Sequence, residues 1–244
     1  IEIVQGLEKG AKGVLGVMIA CASAGIIIGI VTKTGVGLKL AGALIDLAGG
    51  MLLPAMFFTM VTSIILGMGV PTTANYVITS TIAAPALIQM GVPLMAAHMF
   101  VFYFGIIADV TPPVALAAFA GAGISGGNPM KTGVTASKLA IAAFVIPYIF
   151  VLSPALLMIN TTPLELAWAF ATSIIGMIGL GTAMIGYFLA PANIIMRVAA
   201  FVGGITLIIP GFYSDMVGFG LLGGVLFMQM AKRKRMDAQA KVTE

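Results

Sequence analysis

Residues 67–73 read GMGVPTT, and this heptapeptide lies in the middle of a long apolar run. No Asp, Glu, Lys or Arg occurs from residue 47 to residue 108. In a soluble protein, two glycines, a proline and two hydroxyls in one short stretch predict a surface turn. Here the residues on both sides favour hydrocarbon over water, so we expect the turn to lie at depth in a membrane.

The composition identifies an integral membrane protein. The chain is 60% hydrophobic and 8% charged, with a mean hydropathy of +1.15, whereas soluble domains carry about 25% charged residues. No window alternates strictly between apolar and polar residues, as a membrane barrel strand requires, so we predict an all-α polytopic fold. The 31 glycines fit close helix packing in lipid. Gly25 with Gly29, and Gly220 with Gly224, have the spacing typical of such contacts.

Cysteine and histidine each occur once. A single Cys21 excludes an intrachain disulfide and a cysteine-based metal cluster, and we interpret it as a small apolar side chain in a helix core. A single His98 argues against a histidine-built metal site, and we interpret it as a helix-packing or interface residue. No bound cofactor is expected. The first residues, Ile-Glu-Ile-Val, lack an initiator Met and the charged start of a signal peptide, so we expect a fragment that continues from upstream membrane sequence.

Glycines, prolines and charges divide the first 160 residues into segments. We predict an interfacial amphipathic helix over 1–12, a membrane crossing over 13–32 and a helix along the interface over 33–46. The apolar run then predicts two arms, residues 51–66 and 74–90, on either side of GMGVPTT. These arms form either a re-entrant hairpin or two crossings, and a broken helix follows over 94–124. The second break is Asp109-Val-Thr-Pro-Pro, and one more helix is expected over 139–159.

The remaining sequence predicts additional membrane helices over residues 161–231 and a basic tail over 232–244. The expected crossings are residues 164–190, 193–209 and 215–230. Placing the cluster Lys232, Arg233, Lys234 and Arg235 inside puts every basic residue except Lys33 and Lys39 on the same side. That distribution agrees with the positive-inside rule, so we expect a multi-pass membrane protein with a cytoplasmic C-terminus. Because the cluster directly follows an apolar segment, it favours an anchor at membrane lipid over a nucleic-acid patch.

We expect the binding site at the two breaks. An unpaired backbone group in hydrocarbon costs several kcal/mol, so carbonyls freed at GMGVPTT and DVTPP need partners. Those carbonyls, together with the hydroxyls of Thr72, Thr73 and Thr111 and the carboxylate of Asp109, make an oxygen-lined cage suited to Na+. Helices beginning near Thr72 and Pro113 would direct positive dipole ends at an anion. Interrupted segments in pairs indicate a secondary transporter's binding site.

A structural explanation stays open for each break. Proline kinks are common in transmembrane helices, and one break alone is accounted for by packing. Two breaks with hydroxyls, one of them also holding an acid at membrane depth, favour a site. Asp109 capping the following helix, or facing a cytoplasmic vestibule, is the alternative.

Four spaced motifs resemble the large membrane subunit of TRAP transporters, specifically the TAXI-type fused permeases. They are GMGVPTTANY at 67–76, AAPA at 83–86, HMFVFYFG at 98–105 and DVTPPVAL at 109–116. NPMKTG at 128–133 also resembles that branch. The resemblance covers about residues 5–160 and implies the C-terminal half of an elevator-type, sodium-coupled importer of small organic anions such as carboxylates. It also implies a location in the bacterial or archaeal cytoplasmic (inner) membrane.

The resemblance assigns roles to the segments and to the site. Residues 13–32 would be a scaffold helix, 33–46 an arm, and 51–90 an outward-opening re-entrant hairpin. The tip and the broken helix would form one sodium site and half of the substrate surface, from Gly67, Gly69, Pro71, Thr72, Thr73, Asp109, Thr111 and Pro112. The implied partners are a periplasmic TAXI-type substrate-binding protein, the N-terminal half of the permease and a small membrane subunit, fused or separate. Helices beyond residue 160 exceed the basic pattern.

Two other classes of protein compete with this interpretation. Gly123-Ile-Ser125-Gly-Gly127 matches the nucleophile-elbow pattern, but the strand that should precede it is not predicted, so an intramembrane protease is disfavoured and no enzyme is expected. An ion channel or a purely structural membrane subunit is the second alternative. For Glu165, Arg197 and Asp215, near the predicted membrane edges, we expect snorkelling or interface anchoring.

Overall fold

A computed structural model describes residues 2–209 and 211–243 and confirms the all-helical prediction, with 81% helix and no strand among those residues. The α-helices are α1 Glu2–Thr34, α2 Val36–Leu47, α3 Leu52–Gly67, α4 Thr72–Ile82, α5 Ala84–Gln89, α6 Leu94–Ile107, α7 Leu116–Ser125, α8 Pro129–Leu139, α9 Ile141–Leu152, α10 Pro163–Ile185, α11 Ile194–Ile208 and α12 Phe212–Thr243. A short 3-10 helix covers Pro154–Leu157. The chain forms two compact units, Ile1–Val134 and Thr135–Glu244.

Membrane spans can be assigned by length and hydropathy. Within the described residues, three stretches are long and apolar enough to cross a bilayer: Pro129–Leu152, Pro163–Ile185 and Phe212–Lys234. The pair Cys21–Thr34 and Val36–Leu47 passes the same test as one bent element, which would bring the number to four. The bend is 74° and lies at Gly35, whose φ of 66° suits glycine.

In the first unit, α6 is packed by both arms of the predicted hairpin. α3 and α4 each lie along α6, and α1 packs on α4. Phe100 and Phe104 of α6 are fully buried, as is Met56 of α3. Cys21 lies against the cluster that includes Ala74, which agrees with its interpretation as a packing residue.

In the second unit, α11 is the central helix, packed against α10 and α12. Its closest approach to α10 needs glycine on both sides. A Cβ at Gly176 would lie 2.8 Å from the carbonyl oxygen of Gly204, and one at Gly204 would lie 2.7 Å from the carbonyl oxygen of Gly176. At the predicted contact glycines, an added Cβ would meet nothing within 4 Å: Gly25, Gly29, Gly220 and Gly224. Small residues therefore do mediate the packing, but at different positions.

Several helix boundaries differ from the sequence expectation. The separate interfacial helix at 1–12 is continuous with the crossing at 13–32 in α1, because no proline interrupts it and Glu8 pairs with Lys12 at 2.6 Å on its exposed side. The basic tail after residue 231 continues α12, since its Ala, Lys, Arg, Met and Gln residues favour helix. α10 ends at Ile185 rather than 190, because Gly186 takes the left-handed conformation with φ 78°.

The three charged residues of the second unit singled out by the sequence have structural partners. Glu165 completes a capping box with Thr162 at the start of α10. Asp215 accepts a hydrogen bond of 2.8 Å from the indole of Trp168. Arg197 donates from Nε to the carbonyl of Ala183, at 2.7 Å, near the end of α10.

Candidate functional site

The first predicted interruption is a short non-helical loop between α3 and α4. α3 ends at Gly67 and α4 begins at Thr72. Gly69 has a φ of +72°, which L side chains rarely adopt, so glycine is favoured there. Pro71 precedes the first residue of α4 and cannot donate a backbone hydrogen bond, which fits a position just before a helix. The helix is therefore interrupted where the glycines and the proline predict an interruption.

Both carbonyl and N–H groups of the backbone are left unpaired at this loop. Within the described chain, four carbonyl oxygens of the loop accept no backbone hydrogen bond: Leu66, Met68, Gly69 and Val70. The amide N–H groups of the first residues of α4 also have no backbone acceptor in that part of the structure: Thr72, Thr73 and Ala74. Free carbonyls next to free N–H groups can bind a cation and an anion close to each other.

Three residues from three helices meet directly beside the loop. Gly67 of α3 lies against Gly105 of α6 so closely that a Cβ on Gly67 would overlap the carbonyl oxygen of Gly105. The same Cβ would lie 2.8 Å from the side-chain nitrogen of Asn75 in α4. A Cβ on Gly105 would lie 2.5 Å from the Asn75 side-chain oxygen. The first interruption is therefore anchored on α6 at a point one helical turn before the second.

The second interruption is a tight turn between α6 and α7. The backbone N–H of Asp109 donates to Ile106 at 3.0 Å, and the carbonyl of Asp109 accepts from Ala117 at 3.0 Å. The hydroxyl of Thr111 donates to the carbonyl of Ile107 at 3.0 Å. The sequence predicts the start of the following helix near Pro113, but α7 begins at Leu116, after Ala115 in a left-handed conformation with φ 40°.

This turn also exposes backbone oxygens. In the residues covered by the structure, the carbonyls of Pro112, Pro113 and Val114 accept no backbone hydrogen bond, and neither does that of Ala108 at the start of the turn. The ring of Pro112 packs on Gly133 of α8, where a Cβ would lie 3.1 Å away. The turn is therefore packed against α8 and carries carbonyl oxygens that are free of backbone hydrogen bonds.

The predicted site residues fall into two groups. Gly67 is buried in the contact with α6, and Thr111 is buried with its hydroxyl engaged in the turn. Thr72 and Thr73 are exposed at the start of α4, and Asp109 is partly buried. No hydrogen bond or ion pair joins Thr72 or Thr73 to Asp109 or Thr111 among the residues that the structure describes. The structure brings together the helices of the two breaks through Gly67 and Gly105, and not these side chains.

Asn75 is a residue that the sequence did not single out. It is 2% exposed, and its side-chain oxygen has no hydrogen-bond partner within the described part of the chain. Leaving such a group unpaired costs about 1–3 kcal/mol. Asn75 and Gln89 are the amide side chains in the charge-free run of residues 47–108. An amide in so apolar a run is the signal that would have found it.

Acidic and soft metal ligands are scarce. In the described residues, no group of three or more His, Cys, Asp and Glu side chains is placed to hold a metal ion. A cation at the breaks would therefore be held mainly by backbone carbonyl and hydroxyl oxygens, with Asp109 as the nearby carboxylate.

His98 has a packing role, as expected from the sequence. Its Nδ1 lies 3.0 Å from the hydroxyl of Tyr76, and the two rings meet edge to face. Tyr76 also packs on Phe102. The contact ties α4 to α6, next to Asn75 in the chain.

Comparison with known proteins identifies the first part of the chain. The family described as "Tripartite ATP-independent periplasmic transporter, DctM component" matches residues 1–164, which include both interruptions. No curated protein and no solved structure matches the chain. With two thirds of its residues in that match, and with apolar helices broken at two adjoining points, the chain belongs to the DctM family, the large membrane permease component of TRAP transporters.

Proposed function

We propose that this protein is the membrane permease part of a sodium-coupled, binding-protein-dependent importer of small organic anions. The observation that carries the proposal is the contact of Gly67 with Gly105, which joins the two helix interruptions. TRAP large components normally work with a periplasmic binding protein and a small subunit.

Na+ is the coupling ion best suited to the oxygen atoms that the two interruptions provide. The first loop presents the unpaired carbonyls of Leu66, Met68 and Gly69, and the second break adds the carboxylate of Asp109. Unwound carbonyls and helix ends coordinate Na+ in other transporters built on discontinuous helices. The predicted sodium ligands remain Gly67, Thr72, Thr73, Asp109 and Thr111.

A small carboxylate fits the part of the same loop where the first N–H groups of α4 are unpaired. The first N–H groups of α4 point out of the helix start, and the helix dipole adds a partial positive charge there. The hydroxyls of Thr72 and Thr73 are exposed beside them and supply further donors. A bound Na+ would neutralise the carboxylate, so each ligand favours binding of the other, as cotransport requires.

An elevator movement and a TAXI-type binding protein complete the proposal. The 74° bend at Gly35 turns α2 across the direction of α1, which suits an arm helix beside a moving hairpin. The NPMKTG stretch at residues 128–133 and the helices beyond residue 160 support the TAXI-type assignment.

Uptake by the complete transporter in proteoliposomes tests the function. The complex of this chain with its remaining membrane parts and its binding protein is supplied with ¹⁴C-labelled succinate, 2-oxoglutarate and glutamate. Accumulation against a gradient that requires both inward Na+ and the binding protein is the expected result. Flux that dissipates gradients and ignores both would instead indicate a channel.

A further inference from the structure

The second unit carries an apolar groove that its own side chains leave unfilled. α11 packs closely on α10 and on α12, whereas α10 and α12 make few contacts with each other. The groove between them has a volume of about 220 Å³. Gly179 and Ala200 form its floor, and Ile178, Phe188 and Leu226 line its rim. These three rim residues are between 40% and 48% exposed, so the groove opens to the outside of the bundle.

The groove faces hydrocarbon. α10 and the first part of α12 are two of the candidate membrane spans, Pro163–Ile185 and Phe212–Lys234. An open apolar groove on spanning helices is in contact with lipid acyl chains unless another helix covers it.

One end of the groove is positively charged. On α12, Leu222, Val225 and Leu226 line the groove, and the same helical face continues towards Gln229 and Lys232. The ammonium group of Lys232 donates to the carbonyl of Pro191 at 2.7 Å, in the α10–α11 connection that also supplies Phe188.

The α10–α11 connection, residues 186–193, is held in place by α12 and α11. The fully buried side chain of Gln229 accepts from the backbone N–H groups of Leu189 and Ala190, at 2.9 and 3.1 Å. Arg197 of α11 binds the last carbonyls of α10, so a second basic side chain lies at this end. The end of the groove is therefore a fixed structure rather than a loose loop.

Basic side chains outnumber acidic ones at this end. From residue 186 to residue 236 the sequence contains five basic residues and one acid, Asp215, and the next acid along α12 is Asp237. Asp215 pairs with Trp168, close to the first turn of α10 and thus at the opposite end of the helix from Arg197. Arg233 and Lys234 are exposed and add to Lys232.

We propose that the groove binds one membrane phospholipid with an anionic head group. One acyl chain occupies the groove over Gly179 and Ala200, and the phosphate lies at Lys232 and Arg233. A second helix would satisfy the apolar groove but would leave the basic end without a counter-charge, whereas an anionic lipid complements both. The site is separate from the two helix interruptions and does not depend on the transport function.

Native mass spectrometry of the purified full chain in detergent tests the site. Phosphatidylglycerol and phosphatidylcholine with identical acyl chains serve as probes. We expect one retained phosphatidylglycerol per chain and several-fold weaker retention of phosphatidylcholine. Ile178→Trp fills the groove from its rim and should abolish the difference. Ile174→Trp, on the same helix, 56% exposed and outside the groove, should retain it.

The basic end is tested with two charge-matched double variants. Lys232→Gln with Arg233→Gln should lower phosphatidylglycerol retention by about fivefold for each residue changed, whereas Lys33→Gln with Lys39→Gln in the first unit should have no effect. Equal retention of the two lipids would overturn the proposal. So would equal effects of the two tryptophan variants, or a change in the number of chains per particle in Ile178→Trp without any lipid adduct, which would identify another helix as the occupant.

Discussion

Gly67 and Gly105 face each other across the contact between α3 and α6, and the side chain of Asn75 is enclosed beside them. There is no room for a methyl group on either glycine, because the neighbouring atoms are a backbone carbonyl and a buried amide rather than the ends of flexible side chains. The requirement for glycine here is one of space, whereas at Gly69 it is one of backbone conformation. Both requirements come from bringing an interrupted helix against its neighbour.

Gly105→Ala should destabilise the first unit. The added methyl group would lie 2.5 Å from the Asn75 side-chain oxygen, and overpacking of this kind costs about 1–3 kcal/mol. The measurement is the midpoint of thermal unfolding of the purified protein in detergent, monitored by size-exclusion chromatography. Gly121→Ala in α7 is the control, because a Cβ there meets nothing within 4 Å and should be neutral or slightly stabilising. Equal midpoints for the two variants would contradict the tight junction.

Asp109→Asn should weaken sodium dependence of uptake without loss of assembly. If Asp109 supplies a charged oxygen ligand, its replacement should raise the half-saturating Na+ concentration about tenfold, equivalent to about 1.4 kcal/mol. Thr72→Ala should act in the same direction. Asp46→Asn, at an exposed acid in α2, is the matched control. Unchanged sodium titration curves in both site variants would remove them from the sodium site.

The sequence indicated where the backbone breaks, but not which side chains meet there. Glycine and proline interrupt a helix through their own covalent structure, so GMGVPTT and DVTPP could be identified without tertiary information. Asn75 was missed because its neighbours Gly67 and Gly105 lie in two other helices, and their approach is fixed only by packing. The exposed positions of Thr72 and Thr73 relative to Asp109 depend on the same packing.

At the scale of the elements, the two interruptions differ in how many hydrogen bonds close them. Both leave carbonyl and N–H groups without a backbone partner among the described residues, but the turn after α6 is in addition closed by bonds at Asp109 and Thr111. The turn after α6 is therefore the more constrained of the two, and we expect the loop between α3 and α4 to adjust more readily if a ligand binds.

A cysteine at Met68, in a Cys21→Ala background, should react with a maleimide at a rate that depends on Na+. Met68 is partly buried in the loop, so ion binding that orders the loop should slow labelling several-fold. The control is Ile124→Cys at the end of α7, which is 91% exposed and should react quickly with or without Na+. Equally fast labelling of Met68→Cys in Na+ and in K+ would mean that the loop is an ordinary exposed turn.

Helix lengths were harder to predict than helix breaks. Charges at residues 1–12 and 232–244 suggested separate elements, but charge alone does not end a helix. Neither stretch contains proline, so α1 and α12 continue through them. Glycine spacing was similarly insufficient: it identified Gly220 and Gly224, whereas the contact is made by Gly176 and Gly204, since which face of a helix is covered depends on its neighbours.

At the scale of the whole molecule, the first unit contains both interruptions and the second contains a glycine-packed set of helices with one basic end. The family match covers residues 1–164 and so extends through all of the first unit. The site chemistry and the lipid groove therefore lie in different units, and changes in one can be assayed without altering the residues of the other.

The distribution of charge predicts on which side of the membrane each end of the molecule lies. Lys33 at the end of α1 and Arg233 near the end of the candidate span Phe212–Lys234 are both exposed, and the positive-inside rule places Arg233 on the cytoplasmic side with most other basic residues. In a Cys21→Ala background, Lys33→Cys should react with a membrane-impermeant maleimide in intact spheroplasts. Arg233→Cys should react at least about tenfold more slowly until the membrane is permeabilised, and at a similar rate in detergent. Labelling of both cysteines from the outside would place the two ends on one face, and the hairpin could then no longer be assigned to open outward from the charge distribution.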